Sequence, residues 1–242
     1  MKNILHSFFL FGIMALATIA FAYPAHAGRY DLIKGKGVEV CKAYEKNLDS
    51  FSQIPSYPMA CERKIDPAMK DFKKPEWKEI DAWENRELIR KIAKFLSPSD
   101  TTIDDNNWLS DLKRGIASHH MMLSEASVDI DNDGKADNVV KYVDGACGMA
   151  NLYSTAILVL DKRNKNIDID KTKPLLQNNS LDQEKNPAGG WHYNMYDIFL
   201  YKNQAYFDKW SDSQDETGFL HVFVTKKNAT EEICTYQYHT TN

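Results

Sequence analysis

The spacing of apolar residues changes near Gly115, and this change limits the folds that are open to the chain. Before Gly115, apolar residues recur every three or four positions, which is the period of a helix with one buried face. After it, apolar and polar residues alternate, as they do in a half-buried strand. This order predicts an α+β fold, with N-terminal helices followed by an antiparallel β-meander sheet. We expect a helical part over about 38–115 and a strand-rich part over about 121–240.

Three helices are predicted in the first part, over residues 38–50, 82–96 and about 108–114. The second has the clearest start signal, because Asp81 and Glu84 have the spacing of a capping box. Its apolar residues form a single stripe, which predicts that one face of this helix is buried.

The strand-rich part contains seven predicted strands, and short polar turns separate several of them. A long polar stretch over 161–190 separates the third strand from the fourth and is predicted to be a loop or lid. The predicted strands are 126–130, 139–143, 152–160, 196–202, 205–210, 219–225 and 231–238.

Residues 1–27 have the organisation of a cleavable signal peptide. A lysine precedes an apolar run from Phe8 to Ala22, and the segment 24–27 ends in the small residues that a signal peptidase accepts. The alternative is an uncleaved anchor, because the stretch 4–22 is just long enough to span a bilayer. We favour cleavage before Gly28. The mature protein is then periplasmic or extracellular, with no stable membrane insertion.

The 215 residues from 28 to 242 are enough for a single exported globular domain. Residues 1–27 contain one lysine and no acidic residue, so the remainder has 29 basic and 34 acidic residues. A nucleic-acid partner requires a basic face, which this balance does not indicate. We therefore predict no nucleic-acid partner.

The chain contains four cysteines, Cys41, Cys61, Cys147 and Cys234. An even number in an exported protein predicts two disulfides, and three pairings are possible. We favour Cys41–Cys61 and Cys147–Cys234, because the first pair lies in the helical part and the second in the strand-rich part. The alternative for Cys147 is a nucleophile, but export favours oxidation and no helper histidine is identifiable.

The segment Asp129–Asp137 has acidic residues at positions 1, 3, 5 and 9 and a glycine at position 6. Calcium binds six to eight oxygen ligands in flexible geometry, and alternating acidic residues in a tight turn direct several carboxylates inward. Gly134 permits the sharp bend. The spacing predicts a structural calcium site in a hairpin. The predicted ligands are Asp129, Asp131, Asp133, the carbonyl of Lys135, and Asp137.

This segment resembles the short calcium-binding loops of FG-GAP and VCBS-type repeats, which lie between strands. The resemblance covers residues 129–140 in one copy, so it implies the chemistry of the loop and not a propeller fold. An EF-hand is not indicated, because its twelfth position would be Val140 instead of a glutamate. The alternative is a polar hairpin turn that binds no metal, since Asp, Asn and Gly are also ordinary turn residues.

The histidines give no catalytic signature. No pair has the H-x-x-x-H spacing of a zinc site, and no G-x-S-x-G sequence is present. The segment 189–193 combines glycines, aromatic residues and His192, and it is the best candidate for the lining of a cleft. The histidines after residue 27 are His119, His120, His192, His221 and His239.

These features favour an exported binding or interaction protein with a structural calcium-binding hairpin and another exported protein as its partner. The alternative is a secreted hydrolase with its site near His192 and the 161–190 stretch. A purely structural role at the cell surface is a third hypothesis. The partner or substrate is not identified by the sequence.

Overall fold

The computed structural model describes residues 28–52, 61–98, 100–104, 107–145, 147, 154–176, 194–211, 218–226 and 229–240. Within these ranges the chain forms ten strands, four α-helices and one short 3-10 helix. The strands are β1 (Gly28–Lys34), β2 (Phe72–Lys73), β3 (Lys78–Ile80), β4 (Met121–Val128), β5 (Asp137–Asp144), β6 (Ser154–Val159), β7 (Asn194–Tyr201), β8 (Gln204–Ser211), β9 (Phe219–Lys226) and β10 (Ala229–Thr240). The helices are α1 (Glu39–Asp49), α2 (Arg86–Leu96), α3 (Trp108–Ala117) and α4 (Ile169–Leu175), with the 3-10 helix at Thr101–Asp104.

All ten strands belong to one open sheet in the order β1-β10-β9-β8-β7-β6-β5-β4-β3, with β2 paired to β7 beside this path. Every pair is antiparallel except β6 and β7, which meet in parallel at Thr155 and Met195. Strand β2 pairs with the far end of β7, where Phe72 lies opposite Tyr201. Strands β1 and β10, the first and last among the described residues, are neighbours at one edge of the sheet.

The α+β class and the antiparallel character of the sheet are confirmed, but the order of helices before strands is wrong. Strand β1 precedes α1, in a stretch where the sequence pattern gave no predicted element. Helix α4 lies within the predicted 161–190 loop, where the Asp168 side chain accepts a hydrogen bond from the Lys171 backbone N–H at 3.1 Å. An N-cap of this kind satisfies a backbone donor that a helix start leaves unpaired.

The sheet carries a hydrophobic core on each of its two faces, because successive side chains of a strand point to opposite sides. On β8, for example, Phe207 belongs to one core and Tyr206 to the other. The core that we call the α2 face lies under α2, α3 and α4 and is rich in branched aliphatic residues. These include Ile89, Ile92, Leu123, Val139 and Ile157. The core that we call the α1 face lies under α1 and residues 61–72 and is rich in aromatic rings. These include Tyr44, Phe72, Phe199, Trp210 and Tyr236.

Both disulfides predicted from the cysteine count are present, but the favoured pairing is wrong. The bonds are Cys41–Cys234, with 5.6 Å between Cα atoms, and Cys61–Cys147, with 5.9 Å. Helix α1 packs on the face of the sheet to which Cys234 contributes, so Cys41 meets a residue 193 positions away. The nucleophile alternative for Cys147 is also wrong, because its sulfur is bonded.

Two disulfides indicate an oxidising compartment outside the cytoplasm. Among the helices of the described residues, none has the length and apolar character needed to cross a bilayer. The predicted signal peptide, residues 1–27, lies outside the described residues.

Candidate metal centre

The acidic motif forms the connection between β4 and β5, and the strand ladder closes where Val128 lies opposite Asp137. Two residues of this connection have left-handed backbones, Asn132 with φ 55° and Gly134 with φ 89°. Asparagine and glycine adopt this conformation more readily than other residues. The local sequence therefore suits the tight turn that brings both ends of the motif together.

Three of the predicted ligands meet in this turn. Asp129, Asp131 and Asp137 each place one carboxylate oxygen within 4.8 Å of the others, so the cluster could hold a metal ion. Asp131 is buried, and the buried Oδ2 atom of Asp137 accepts no hydrogen bond from the described residues. Hard divalent ions bind carboxylate oxygens, so the donor set fits such an ion.

Backbone N–H groups hold the Asp129 carboxylate in place. The N–H of Asp133 donates to Oδ1 of Asp129, and the N–H of Gly134 donates to Oδ2, both at 2.9 Å. The carboxylate of Asp133 lies outside the cluster and accepts the Lys135 N–H at 2.8 Å. Ligation by Asp133 and by the Lys135 carbonyl stays a prediction.

Lys171 of α4 reaches the same cluster from another part of the chain. Its Nζ atom lies 2.9 Å from Oδ2 of Asp131 and 2.6 Å from Oδ1 of Asp137. Burial raises the pKa of the Asp137 carboxyl, and the Lys171 ammonium opposes this rise. The three carboxylates and one ammonium leave a formal excess of two negative charges in the turn.

Asn132 ties the turn to the sheet. Its side-chain amide donates to the carbonyls of Ala205, at 3.2 Å, and Thr225, at 2.9 Å, and accepts the Ala205 N–H at 2.9 Å. The turn is thereby fixed to β8 and β9, which are distant in sequence. Spacing within the motif gave no signal for this anchor or for Lys171.

A groove lies on the α1 face of the sheet, between α1 and residues 68–72. Its cavity volume is about 540 Å³, with an apolar floor that includes Met69 and Phe72. Lys42 and Lys46 of α1 stand one turn apart on its wall, and neither forms an ion pair within the described part of the chain. The groove combines apolar surface with three lysines and two acidic residues, of which Glu39 is paired with Lys202.

Sequence reasoning missed a buried polar network beneath α1. The Arg63 Nε atom donates to Oδ2 of Asp208 at 3.0 Å, and the Tyr44 hydroxyl donates to the same oxygen at 2.7 Å. Burial raises the pKa of Asp208, and the positive charge of Arg63 opposes this rise. The signal in the sequence is an acidic residue at a core-facing position of β8, but its partner is 145 residues away.

Two of the histidines lie near carboxylates. His221 has its Nδ1 3.5 Å from Oε1 of Glu232, and His239 has its Nε2 3.4 Å from Oδ2 of Asp31. Neither histidine lies in the acidic cluster. His192 lies outside the described residues, so the hydrolase alternative stays a prediction.

Comparisons with protein-family models, with curated proteins and with solved structures give no match to this chain. The resemblance of residues 129–140 to FG-GAP and VCBS-type loops therefore stays a prediction.

Proposed function

We propose that the hairpin at 129–137 binds calcium as a structural ion in an exported binding protein. The observation that carries the proposal is the cluster of Asp129, Asp131 and Asp137, in which one carboxylate oxygen of each lies within 4.8 Å of the others. The buried Oδ2 of Asp137 also has no hydrogen-bond partner among the described residues. A buried carboxylate oxygen without a partner is unfavourable, and coordination to a cation removes this penalty.

The charge balance also supports a divalent ion. The three carboxylates repel one another, and the Lys171 ammonium compensates only one of their three negative charges, which leaves an excess of two for a divalent cation to balance. Extracellular calcium modules bind with Kd values of about 10⁻⁴–10⁻³ M, which is sufficient where calcium is plentiful. The bound ion would fix the β4–β5 hairpin, and Asn132 would transmit this order to β8 and β9.

Thermal and chemical unfolding in 10 mM calcium and in EDTA tests this proposal. We expect calcium to stabilise the folded protein by about 1–3 kcal/mol at Kd values in that range. The Asp131→Asn variant should lose the difference between the two conditions. The matched control is Asp170→Asn, which changes an exposed carboxylate on α4 and should keep the difference. Identical unfolding of the wild type in calcium and EDTA would remove calcium from the proposal.

The binding role is proposed for the groove beside α1. Its apolar floor and the lysines at 42 and 46 suit an acidic segment of another exported protein, with an apolar side chain seated on Met69 and Phe72. We expect no contribution from the calcium hairpin to this contact, because it lies at the β4–β5 connection and does not line the groove.

A photo-crosslinking residue in place of Ala43, which lines the groove, tests this assignment in the exported compartment. A discrete crosslinked species should form, and it should disappear when Lys42→Glu and Lys46→Glu are added. The same crosslinker at Glu87, an exposed position on α2, is the control and should give none. Equal crosslinking at Ala43 and Glu87, or none at Ala43, would rule out the groove as the binding surface.

A further inference from the structure

The hairpin already has a cationic group from its own chain. The Lys171 ammonium lies within hydrogen-bond distance of Asp131 and Asp137, which are two of the three clustered carboxylates. It comes from α4, 34 residues after Asp137, and is not part of the acidic motif. Its position shows that the carboxylates of Asp131 and Asp137 accept a positive charge.

This contact differs from an ordinary surface ion pair. The side chains of Asp131 and Asp137 are 6% and 11% exposed, and that of Lys171 is 27% exposed. Ion pairs that are shielded from water in this way are screened less by salt than surface pairs. One carboxylate oxygen of the site, Oδ2 of Asp137, is still left without a hydrogen bond among the described residues.

We propose that Lys171 competes with calcium for the hairpin, holding Asp131 and Asp137 together in the ion-free protein and leaving them when calcium binds. This inference rests on the calcium site proposed above and adds its regulation. Both cations require the same carboxylates, and an ammonium beside a divalent ion is strongly repelled. The affinity for calcium therefore depends on the displacement of the Lys171 ammonium as well as on the acidic residues.

Only the lysine side chain needs to move in this exchange. Helix α4 has its own attachment to β6, because the hydroxyl of Thr172 accepts the Val159 N–H at 3.0 Å. The Asp168 N–H also donates to the Val159 carbonyl at 2.8 Å. Calcium would therefore turn a partly buried ammonium into one that is exposed to solvent while the helix stays in place.

Titration calorimetry with calcium chloride measures the exchange. We compare the wild type with Lys171→Met and with the control Lys173→Met, which changes an exposed lysine of the same helix. Lys171→Met should bind calcium at least about tenfold more tightly, since calcium no longer displaces a charge-assisted hydrogen bond. Lys173→Met should bind like the wild type.

Acylation of lysines followed by mass spectrometry gives a second readout on the unaltered protein. The reactivity of Lys171 should rise in calcium relative to EDTA, while that of Lys173 stays constant. No calcium binding by either the wild type or Lys171→Met would mean that the calcium site itself is absent. Binding of equal affinity in both, or unchanged Lys171 reactivity when calcium is bound, would overturn the exchange and leave the calcium site standing.

Discussion

Both faces of the sheet bury apolar side chains and hydrogen bonds, but the α1 face adds a buried charge pair and a disulfide. The α2 face buries branched aliphatic side chains, whose stabilisation depends on the area removed from water and not on direction. The α1 face also buries an ion pair, a tyrosine hydroxyl bonded to it, and a disulfide that attaches α1 to β10. Directional bonds need every partner in place, so the α1 face should tolerate substitution less well than the α2 face.

The aromatic rings of the α1 face also depend on specific partners for their positions. Tyr44 stacks on Phe199 with ring centroids 4.4 Å apart, and the Arg63 guanidinium lies over the Trp210 ring at 5.4 Å. Aromatic rings therefore surround the network of Arg63, Asp208 and Tyr44, and the positions of these rings depend on that network. A change at the ion pair should disturb more than the two residues that form it.

The largest effect is expected for Arg63→Met, which leaves the Asp208 carboxylate buried without its charge partner. Breaking a buried pair from one side costs about 3–5 kcal/mol in the free energy of unfolding. Urea denaturation measures this loss. Arg29→Met is the control, because it breaks an exposed pair with Asp31 and should cost less than about 1 kcal/mol. Similar losses for both variants would show that the buried pair contributes no more to the free energy of unfolding than the exposed pair does.

The next effect is expected for Tyr44→Phe, which removes only the hydroxyl that donates to Asp208. Asp208 keeps its bond from Arg63, so the loss is that of one hydrogen bond to a charged group, about 1.5–3 kcal/mol in the free energy of unfolding. Tyr201→Phe is the matched control, because its hydroxyl donates at 3.1 Å to the exposed Glu39 carboxylate. If chemical denaturation gives the same stability for both variants, the directional account of the α1 face is wrong.

A smaller effect is expected on the α2 face for Ile92→Val, which removes one methylene from a fully buried side chain. Such changes cost about 0.5–1.5 kcal/mol, since aliphatic neighbours adjust to a small cavity. The same denaturation series measures it. A loss above about 3 kcal/mol would mean that the α2 face is as sensitive to substitution as the α1 face, and the contrast between the two faces would then be wrong.

The smallest effect concerns pH, at His221 on β9. Burial lowers the pKa of this imidazole, and the charge of Glu232 opposes the change while Lys209 and Lys34 add to it. The folded protein then binds the proton more weakly than the unfolded chain, so stability should fall as the pH drops below the ordinary value of 6.5. His221→Gln should flatten this decline between pH 7.5 and pH 5.5. An unchanged slope would assign the decline to other groups.

Elements whose signal is local were predicted well. The stripe of Leu88 and Ile92 predicted α2, and the Asp81 side chain does accept the Glu84 N–H at 2.8 Å. The helix nevertheless begins at Arg86, four residues after the predicted start, since residues 82–85 form turns and not helix. The seven predicted strands correspond to β4–β10, but β4 begins at Met121, five residues before the predicted start, and ends at Val128, two residues before the predicted end.

Elements that depend on distant partners were missed. Strand β1 forms beside β10, and β2 and β3 are too short for an alternating pattern to show. The disulfide partner of Cys41 depends on which face of the sheet α1 covers, which no local pattern records. At the candidate site, the clustering of the acidic residues followed from spacing, whereas Lys171 arrives through tertiary structure.

The pairing of β1 with β10 has a consequence for the order in which this protein can fold. Gly28 lies opposite Thr240, so this edge of the sheet joins the two extremes of the described chain. A chain that emerges from synthesis or from a secretion channel with its N-terminus first must keep β1 without a partner until β10 has arrived. Such long-range pairing slows folding and leaves a strand open to wrong partners meanwhile. The disulfide between Cys41 and Cys234 can form only after Cys234 has emerged, and it then fixes α1 to β10.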